Sequence, residues 1–224
     1  MEPEENNLGK SENNRKGSEK VPVIHIAPGN WQVLIVGFMN VSNCILTDRL
    51  ILRPFVGGDE DDLLAIMSDE DTARKAGFKP MSNIYEAARF MRSWRTECYA
   101  ITERDNDSVI GVIQTPLGWN GKAFIGYWLD KEHRGKGYMT EAVQAVKEYL
   151  FDHTWADEIE LYVYCGNDAS RNVAIKCGFY PDFSQYKENT YSLFGTVESE
   201  ERFYITRVDF EWEKSGMSEF STAA

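Results

Sequence analysis

Apolar and polar positions alternate along the chain with two different periods, and each marks an element. Leu50 and Leu52 alternate with Arg49 and Arg53, Ile51 interrupts them, and Pro54 follows. Residues 47–55 therefore read as a first strand, ended by a proline that has no N–H to give a ladder. Asp59, Glu60, Asp61 and Asp62 then stand where a helix N-terminus favours negative charge, and Leu63, Leu64, Ile66 and Met67 form the inward face behind them. Asn83 followed by Glu86 has capping-box spacing, and Ile84, Ala87, Ala88 and Met91 recur at helical spacing, which predicts a helix to about Trp94.

Strand patterns return at 98–103 and 109–114, joined through the polar turn 104–108, and a third lies at 123–129. A helix beginning near Gly137 buries Ala142, Val143, Val146, Tyr149 and Leu150, and 159–164 alternates as a β-branched and aromatic strand. Strand, helix and strand make a βαβ unit. A short helix at 169–177 ends at Gly178, suited to a left-handed C-terminal position. Late strands are expected at 190–193 and 202–211, and 214–224 reads as a loose tail.

Composition narrows the class. A chain of 224 residues is long enough for one sizeable core with extensions, and 42% hydrophobic with 13% aromatic residues marks a globular protein. A net charge of -12 argues against a nucleic-acid binder that relies on phosphate contacts. It suits a cationic acceptor such as an amine, although simple solubility is the plainer reading. Cys44, Cys98, Cys165 and Cys177 show no Cys-x-x-Cys spacing, and with only His25, His133 and His153 to join them no metal centre is expected. The N-terminus does not read as a secretory signal, so the cysteines are expected as reduced thiols in the cytoplasm. The apolar run 33–39 is far short of the ~20 residues a membrane helix needs, and no membrane association is expected. Residues 1–20 hold a single large apolar residue, Leu8, and are expected to be a disordered tail. Residues 21–45 form an extension of unassigned role, with candidate strands at 23–26 and 32–36.

The chemistry concentrates between Gly126 and Ala142. There an aromatic strand runs into the Gly-rich basic turn Arg134-Gly-Lys-Gly137 and then a helix. Such a turn gathers unpaired N–H groups, and the helix adds the positive end of its dipole, which together make an anion seat. A nucleotide P-loop is a poor fit, because Gly-x-x-x-x-Gly-Lys-Ser/Thr is absent. The segment resembles the coenzyme A pyrophosphate loop of the GNAT N-acetyltransferases, with Met139 at the position where that family usually has Gly or Ala. Asn167-Asp-Ala-Ser-Arg-Asn-Val-Ala-Ile-Lys-Cys-Gly-Phe179 is similar to the Asn-x-x-Ser-x-x-Val-x-x-Lys-x-Gly-Phe signature of the family's RimJ/RimL-like branch, and Thr47-Asp-Arg-Leu-Ile-Leu-Arg-Pro resembles that branch's first strand. Met39 lies shortly before these blocks, so an upstream start-codon choice is a second account of the extension.

The resemblance implies an α/β (α+β) fold over 46–213: a mixed, mostly antiparallel central sheet flanked by helices and splayed at an acetyl-CoA slot. It implies pantetheine pairing near Trp128 and Leu129, and pyrophosphate binding by the amides of Arg134, Gly135, Lys136, Gly137, Tyr138, Met139 and Thr140. Asn167 would meet the pantetheine region, cap its helix, or do both. A backbone N–H of 128–129 would polarise the thioester carbonyl. Ser170 would donate to the departing thiolate, its alternative role being first-turn polarity. For the base, Phe124 stands where the family often has Glu. Glu160 is therefore the first candidate and Glu103 and Glu141 the fallbacks, while Glu160 on a solvated face and Glu141 stabilising its helix are the plainer readings. Phe78, Trp94, Trp119 and Tyr191 would wall the acceptor pocket or belong to the core. The implied function is acetyl-CoA-dependent N-acetyl transfer to a primary amine (a protein N-terminus, a polyamine or another small amine) by direct attack in a ternary complex. The alternative is a catalytically degenerate acyl-CoA-binding or regulatory module. Acetyl-CoA and an amine are the expected partners, and a homodimer stays open.

Overall fold

A computed structural model of the chain describes residues 44–191 and 197–216, with the side chains of 185–191 and 197–198 excepted. The tail 1–20, the extension up to residue 43 with its strands at 23–26 and 32–36, Met39, and residues 217–224 lie outside the described residues. The first strand is shorter than expected, Leu50–Arg53 (β2), and a two-residue strand Ile45–Leu46 (β1) pairs antiparallel with it. Leu50 and Leu52 are fully buried, as their alternation requires.

The acidic segment yields two helices. Glu60–Met67 (α1) buries Leu63, Ile66 and Met67. Glu70–Ala76 (α2) then starts afresh, because extended Asp69 takes the Thr72 N–H on its side chain at 2.8 Å. Ile84–Ser93 (α3) starts at Asn83, whose side chain takes the Glu86 N–H at 3.1 Å, while Glu86 reaches back to the Ser82 N–H at 2.8 Å. Cys98–Glu103 (β3), Asn106–Gln114 (β4), Lys122–Phe124 (β5) and Gly126–Leu129 (β6) follow. A 3-10 turn, Lys131–His133, then leads to Tyr138–His153 (α4), Glu158–Tyr164 (β7) and Asp168–Lys176 (α5). Tyr180–Tyr191 (β8), Val197–Thr206 (β9) and Arg207–Lys214 (α6) complete the order.

Ladder bonds arrange the strands as β1-β2-β3-β4-β6 and β5-β7-β9-β8, every pairing antiparallel except β5 with β7. β5 and β6 are separated by Ile125 alone, so one extended segment begins in one sheet and finishes in the other. One core, including Ile101, Val143, Val146, Ile159, Leu161 and Phe203, lies where α4 covers the sheets. A second, including Leu63, Ile66, Ala87, Val112 and Trp128, lies under α1 and α3.

The chain's end corrects the expected strand at 202–211. Val208, Phe210 and Trp212 alternate with polar residues and imitate a strand, yet only Phe210 is buried, stacked on Phe151 with ring centroids 4.8 Å apart. A capping box stops β9: the Thr206 hydroxyl takes the Asp209 N–H at 3.2 Å and Asp209 takes the Thr206 N–H at 3.0 Å. Lys147, 1% exposed, ties α6 to the end of α5 by donating to Glu213 at 2.9 Å and to the Cys177 carbonyl at 2.8 Å. Gly178 is required at that junction, since its φ is +81° and a Cβ there would meet Glu213 at 2.3 Å. Replacing Thr206 with Ala is expected to cost about 1 kcal/mol in urea unfolding. Val208→Ala, on the exposed side, should stay within about 0.5 kcal/mol; the reverse ranking would return this segment to a strand.

Candidate active site

The 122–129 segment runs beside β7 up to Ile125 and parts from it there. The Ile125 N–H donates to the Glu160 carbonyl at 2.9 Å, and beyond that bond β6 pairs with β4 while β7 pairs with β9. The Asp130 N–H donates to the Ile110 carbonyl at 2.9 Å, which sets the phase of the β4–β6 ladder. Antiparallel pairing alternates, so Trp128 and Gly126 spend their backbone groups on β4 while Tyr127 and Leu129 turn theirs toward the gap. Of the two residues expected to meet a pantetheine chain, Leu129 has the fitting orientation. Trp128 instead sends its indole into the second core, edge-on to Phe78 at 5.4 Å.

At the mouth of the gap lies the Gly-rich turn. Gly135 and Gly137 have φ of +77° and +82°, and α4 begins immediately after them. Its first internal backbone bond is from the Glu141 N–H to the Gly137 carbonyl at 3.1 Å. The N–H groups of Gly135, Lys136, Gly137, Tyr138, Met139 and Thr140 therefore precede the helix's own bonding, at the positive end of its dipole. A Cβ on Gly135 would meet nothing within 4 Å, so space is open beside this row of donors. Such a donor set fits a pyrophosphate. Met139, 6% exposed, points into the first core and leaves its N–H to the turn.

Arg134 departs from its expected place. Its N–H already meets the Lys131 carbonyl at 3.4 Å. Its guanidinium turns back to the Leu129 carbonyl at 3.2 Å and the Thr72 hydroxyl at 2.5 Å, with Asp71 at 3.6 Å. It braces α2 beside the slot rather than charging the turn. Besides Lys136, the turn has a cation that the motif did not announce. Arg49 donates to the Lys136 carbonyl at 2.9 Å, lies 4.7 Å from the Tyr138 ring centroid, and is gripped by Glu141 at 2.6 Å. Only folding brings these residues together, since they are 87 and 92 positions apart.

On the other lip, α5 is capped by Asn167, whose side chain takes the Ser170 N–H at 3.2 Å and donates to the Lys75 carbonyl of α2 at 3.1 Å. The capping role is therefore real, and α2 touches both lips. Gly77 closes α2 with φ +71° against the Tyr164 ring, where a Cβ would stand 2.1 Å from the phenol oxygen. The Ser170 hydroxyl lies 2.8 Å from the Tyr127 phenol of β6, across the gap. Burial pushes the Tyr127 pKa up, more than its bond to Ser170 lowers it, so the phenol keeps its proton.

The candidate bases are all engaged. Glu160, 3% exposed, receives Lys122 at 2.5 Å, Arg202 at 2.8 Å and the Tyr162 hydroxyl at 3.0 Å. Burial pushes its pKa up, but the bonds from Arg202 and Lys122 outweigh that and hold the carboxyl well below its usual range. A carboxylate so stabilised is a weak proton acceptor, which corrects its expected role; nor does it lie on a solvated face. Arg202 also pairs with Glu158 and Asp182, so the network joins β5, β7, β8 and β9. Glu141 takes the Thr47 hydroxyl at 2.5 Å and the Arg49 N–H at 2.9 Å, and Glu103 takes the Tyr138 hydroxyl at 2.5 Å.

The expected acceptor wall is only partly assembled. Phe78 and Trp94 pack around Trp128 and Phe90 in the second core, whereas Trp119 is 100% exposed. The side chain of Tyr191 lies outside the described residues. Among the described residues no three His, Cys, Asp or Glu side chains gather as a metal site, and no helix is long and apolar enough to cross a membrane.

Comparison with known proteins gives a context for this geometry. Residues 49–180 match the family described as the acetyltransferase (GNAT) domain. The uncharacterized N-acetyltransferase YoaA of Bacillus subtilis is 28% identical over 166 residues, covering 66% of this chain and 94% of that protein. Two solved structures share the fold. RimL, a ribosomal alpha-N-protein acetyltransferase in complex with coenzyme A, superposes with a TM-score of 0.65 at 19% identity, covering 73% of this chain and 97% of its own. Spermidine N-acetyltransferase from Vibrio cholerae, in complex with coenzyme A and spermine, gives 0.66 at 16% identity, covering 74% and 99%. The splayed strands, the glycine turn and a family match spanning more than half of the sequence agree, and the chain belongs to the GNAT family of acetyltransferases.

Proposed function

We propose that this N-acetyltransferase takes its acetyl group from acetyl-CoA and transfers it to the α-amine of a peptide or protein N-terminus, by direct attack in a ternary complex. The row of N–H groups from Gly135 to Thr140 at the mouth of the gap carries the donor half of this reading. It would hold the pyrophosphate, with Arg49 and Lys136 supplying charge nearby and the Tyr127 backbone groups receiving the pantetheine. The Leu129 N–H, turned toward the gap, polarises the thioester carbonyl, and the Ser170 hydroxyl donates to sulfur as the C–S bond opens. The unit carrying this activity is residues 46–213, and its free thiols at Cys98, Cys165 and Cys177 fit a reducing compartment such as the cytoplasm.

The acceptor half rests on the engaged carboxylates. With Glu103, Glu141 and Glu160 all committed, proton removal from the amine falls to water and to the amine's own acidity. An α-amine, with a pKa of about 7.8, is neutral in roughly one molecule in seven at pH 7, against roughly one in 2,500 for an alkyl ammonium near 10.4. That difference favours a chain terminus over a polyamine. The attacking nitrogen needs a free lone pair to bond the acetyl carbon, so the neutral amine is the reacting form.

A panel of peptides and polyamines, followed by release of free thiol from acetyl-CoA, tests the assignment. Peptides with free α-amines should turn over fastest, and the rate should rise with pH and level off near the acceptor's own pKa. Equal turnover of spermidine at pH 7 would overturn the acceptor class, and no turnover of any amine despite tight binding would favour the degenerate module. Gly135→Asp places a carboxylate beside the seat in a backbone region that Asp tolerates. Coenzyme A affinity by calorimetry should fall roughly a hundredfold, with unfolding free energy within about 1 kcal/mol of the parent.

Glu160→Gln separates the structural role of that carboxylate from a catalytic one. Removing one partner of this buried network should cost about 3 kcal/mol of stability. Because the folded pKa lies below its ordinary 4.5, the stabilisation is complete above that value and is lost as pH falls through the depressed one. Urea unfolding of the parent should therefore weaken between neutral and acid pH more steeply than that of the variant. An unchanged stability with lost turnover would restore Glu160 as the base.

A further inference from the structure

We infer that Tyr127 is a positioning residue that aims the Ser170 hydroxyl at the departing sulfur. The inference rests on the reading of Ser170 as the donor to that sulfur. The two side chains come from opposite lips of the gap, β6 and α5, and are 43 positions apart. Their meeting is therefore a product of the fold and not of helix polarity.

Counting protons defines what the pair can do. Tyr127 has one phenolic proton and two acceptors on Ser170, the hydroxyl oxygen at 2.8 Å and the backbone carbonyl at 3.1 Å. In one arrangement the phenol donates to the carbonyl and Ser170 donates back to the phenol oxygen, which turns the serine proton away from the slot. In the other the phenol donates to Oγ, and the serine proton is released to point elsewhere. Negative charge developing on sulfur favours the second, because the two O–H bonds then run in series and each polarises the next.

The bonds balance without a co-reactant. The acceptor nitrogen forms a bond to the acetyl carbon, the C–S bond breaks with its electron pair left on sulfur, the nitrogen releases a proton to solvent, and sulfur recovers one from solvent. Tyr127 and Ser170 finish with the protons they began with. Burial of the phenol suits this role, since a phenolate in that position is disfavoured and the proton stays available as a donor. Without the phenol, a serine in the first turn of a helix is free to rotate and bond to its own backbone.

Tyr127→Phe, Ser170→Ala and the double variant test the inference in acetyl-CoA turnover with the best peptide acceptor. Tyr127→Phe should lower kcat about tenfold, with KM for acetyl-CoA and calorimetric affinity for coenzyme A within twofold of the parent. The double variant should be no slower than Ser170→Ala alone, because the two groups act in series; losses that multiply would mean that Tyr127 acts independently, and would overturn the inference. Difluorotyrosine at position 127 keeps the shape and lowers the phenol pKa. Its kcat should match the parent near neutrality and fall at alkaline pH where the parent's does not, whereas a pH profile identical to the parent's would leave Tyr127 a packing role and overturn the inference. Full turnover by Ser170→Ala would remove the reading on which the inference rests. Slow Ser170→Ala with full turnover by Tyr127→Phe would overturn the inference alone.

Discussion

The parting of two strands at Ile125 is the constraint on which the rest of the molecule depends. Up to that residue the segment runs parallel to β7, and from the next one it belongs to the antiparallel ladder of β4. A strand can satisfy one edge with β4 and leave the other edge open only where something else takes those groups or where a ligand enters. The open edge is the one bearing the Tyr127 backbone groups and the Leu129 N–H, the Leu129 carbonyl being taken by Arg134. The same parting places the Gly135–Gly137 turn at the mouth of the gap and brings α5 to its opposite lip, since strand, crossover helix and strand must be connected around it.

Holding the sheet open in this way uses charge. Glu160, Glu158 and Asp182 with Lys122 and Arg202 bind four strands of one sheet together beside the gap, and Glu141 with Thr47 and Arg49 ties the turn between β1 and β2 to the start of α4. Both sets span long sequence separations and lie partly or fully out of water, where a broken pair is costly. The carboxylates that chemistry might have used as bases thus serve the architecture. Phe124, stacked on Tyr162 at 6.4 Å where a family carboxylate often stands, fits the same division. The proposed chemistry accordingly draws on backbone N–H groups, hydroxyls and the acceptor's own basicity.

Several groups around the slot bear both on the fold and on the site. Asn167 caps α5 and holds α2, Arg134 holds α2 from the other lip, and Met139 anchors the glycine turn in the core while leaving its N–H outside. Side chain and backbone can face different ways, so a residue in a binding motif need not point at the ligand. This is why Arg134 in the motif braces a helix while Arg49, outside it, approaches the turn.

Local order was legible in the amino-acid sequence because its causes are local. Alternation at Leu50 and Leu52, the Asn83 cap, the glycine turn and the Asn167 to Phe179 block depend on residues a few positions apart, and they sufficed for the family and for the strand-turn-helix at its centre. The 208–212 alternation misled because exposure, rather than period, distinguishes that helix from a strand. Tertiary structure alone decided which side of β6 faces the gap, that Glu160 is buried among cations, and that Tyr127 meets Ser170. Each depends on ladder phase or on charges brought together across dozens of residues, and short-range spacing carries no record of either.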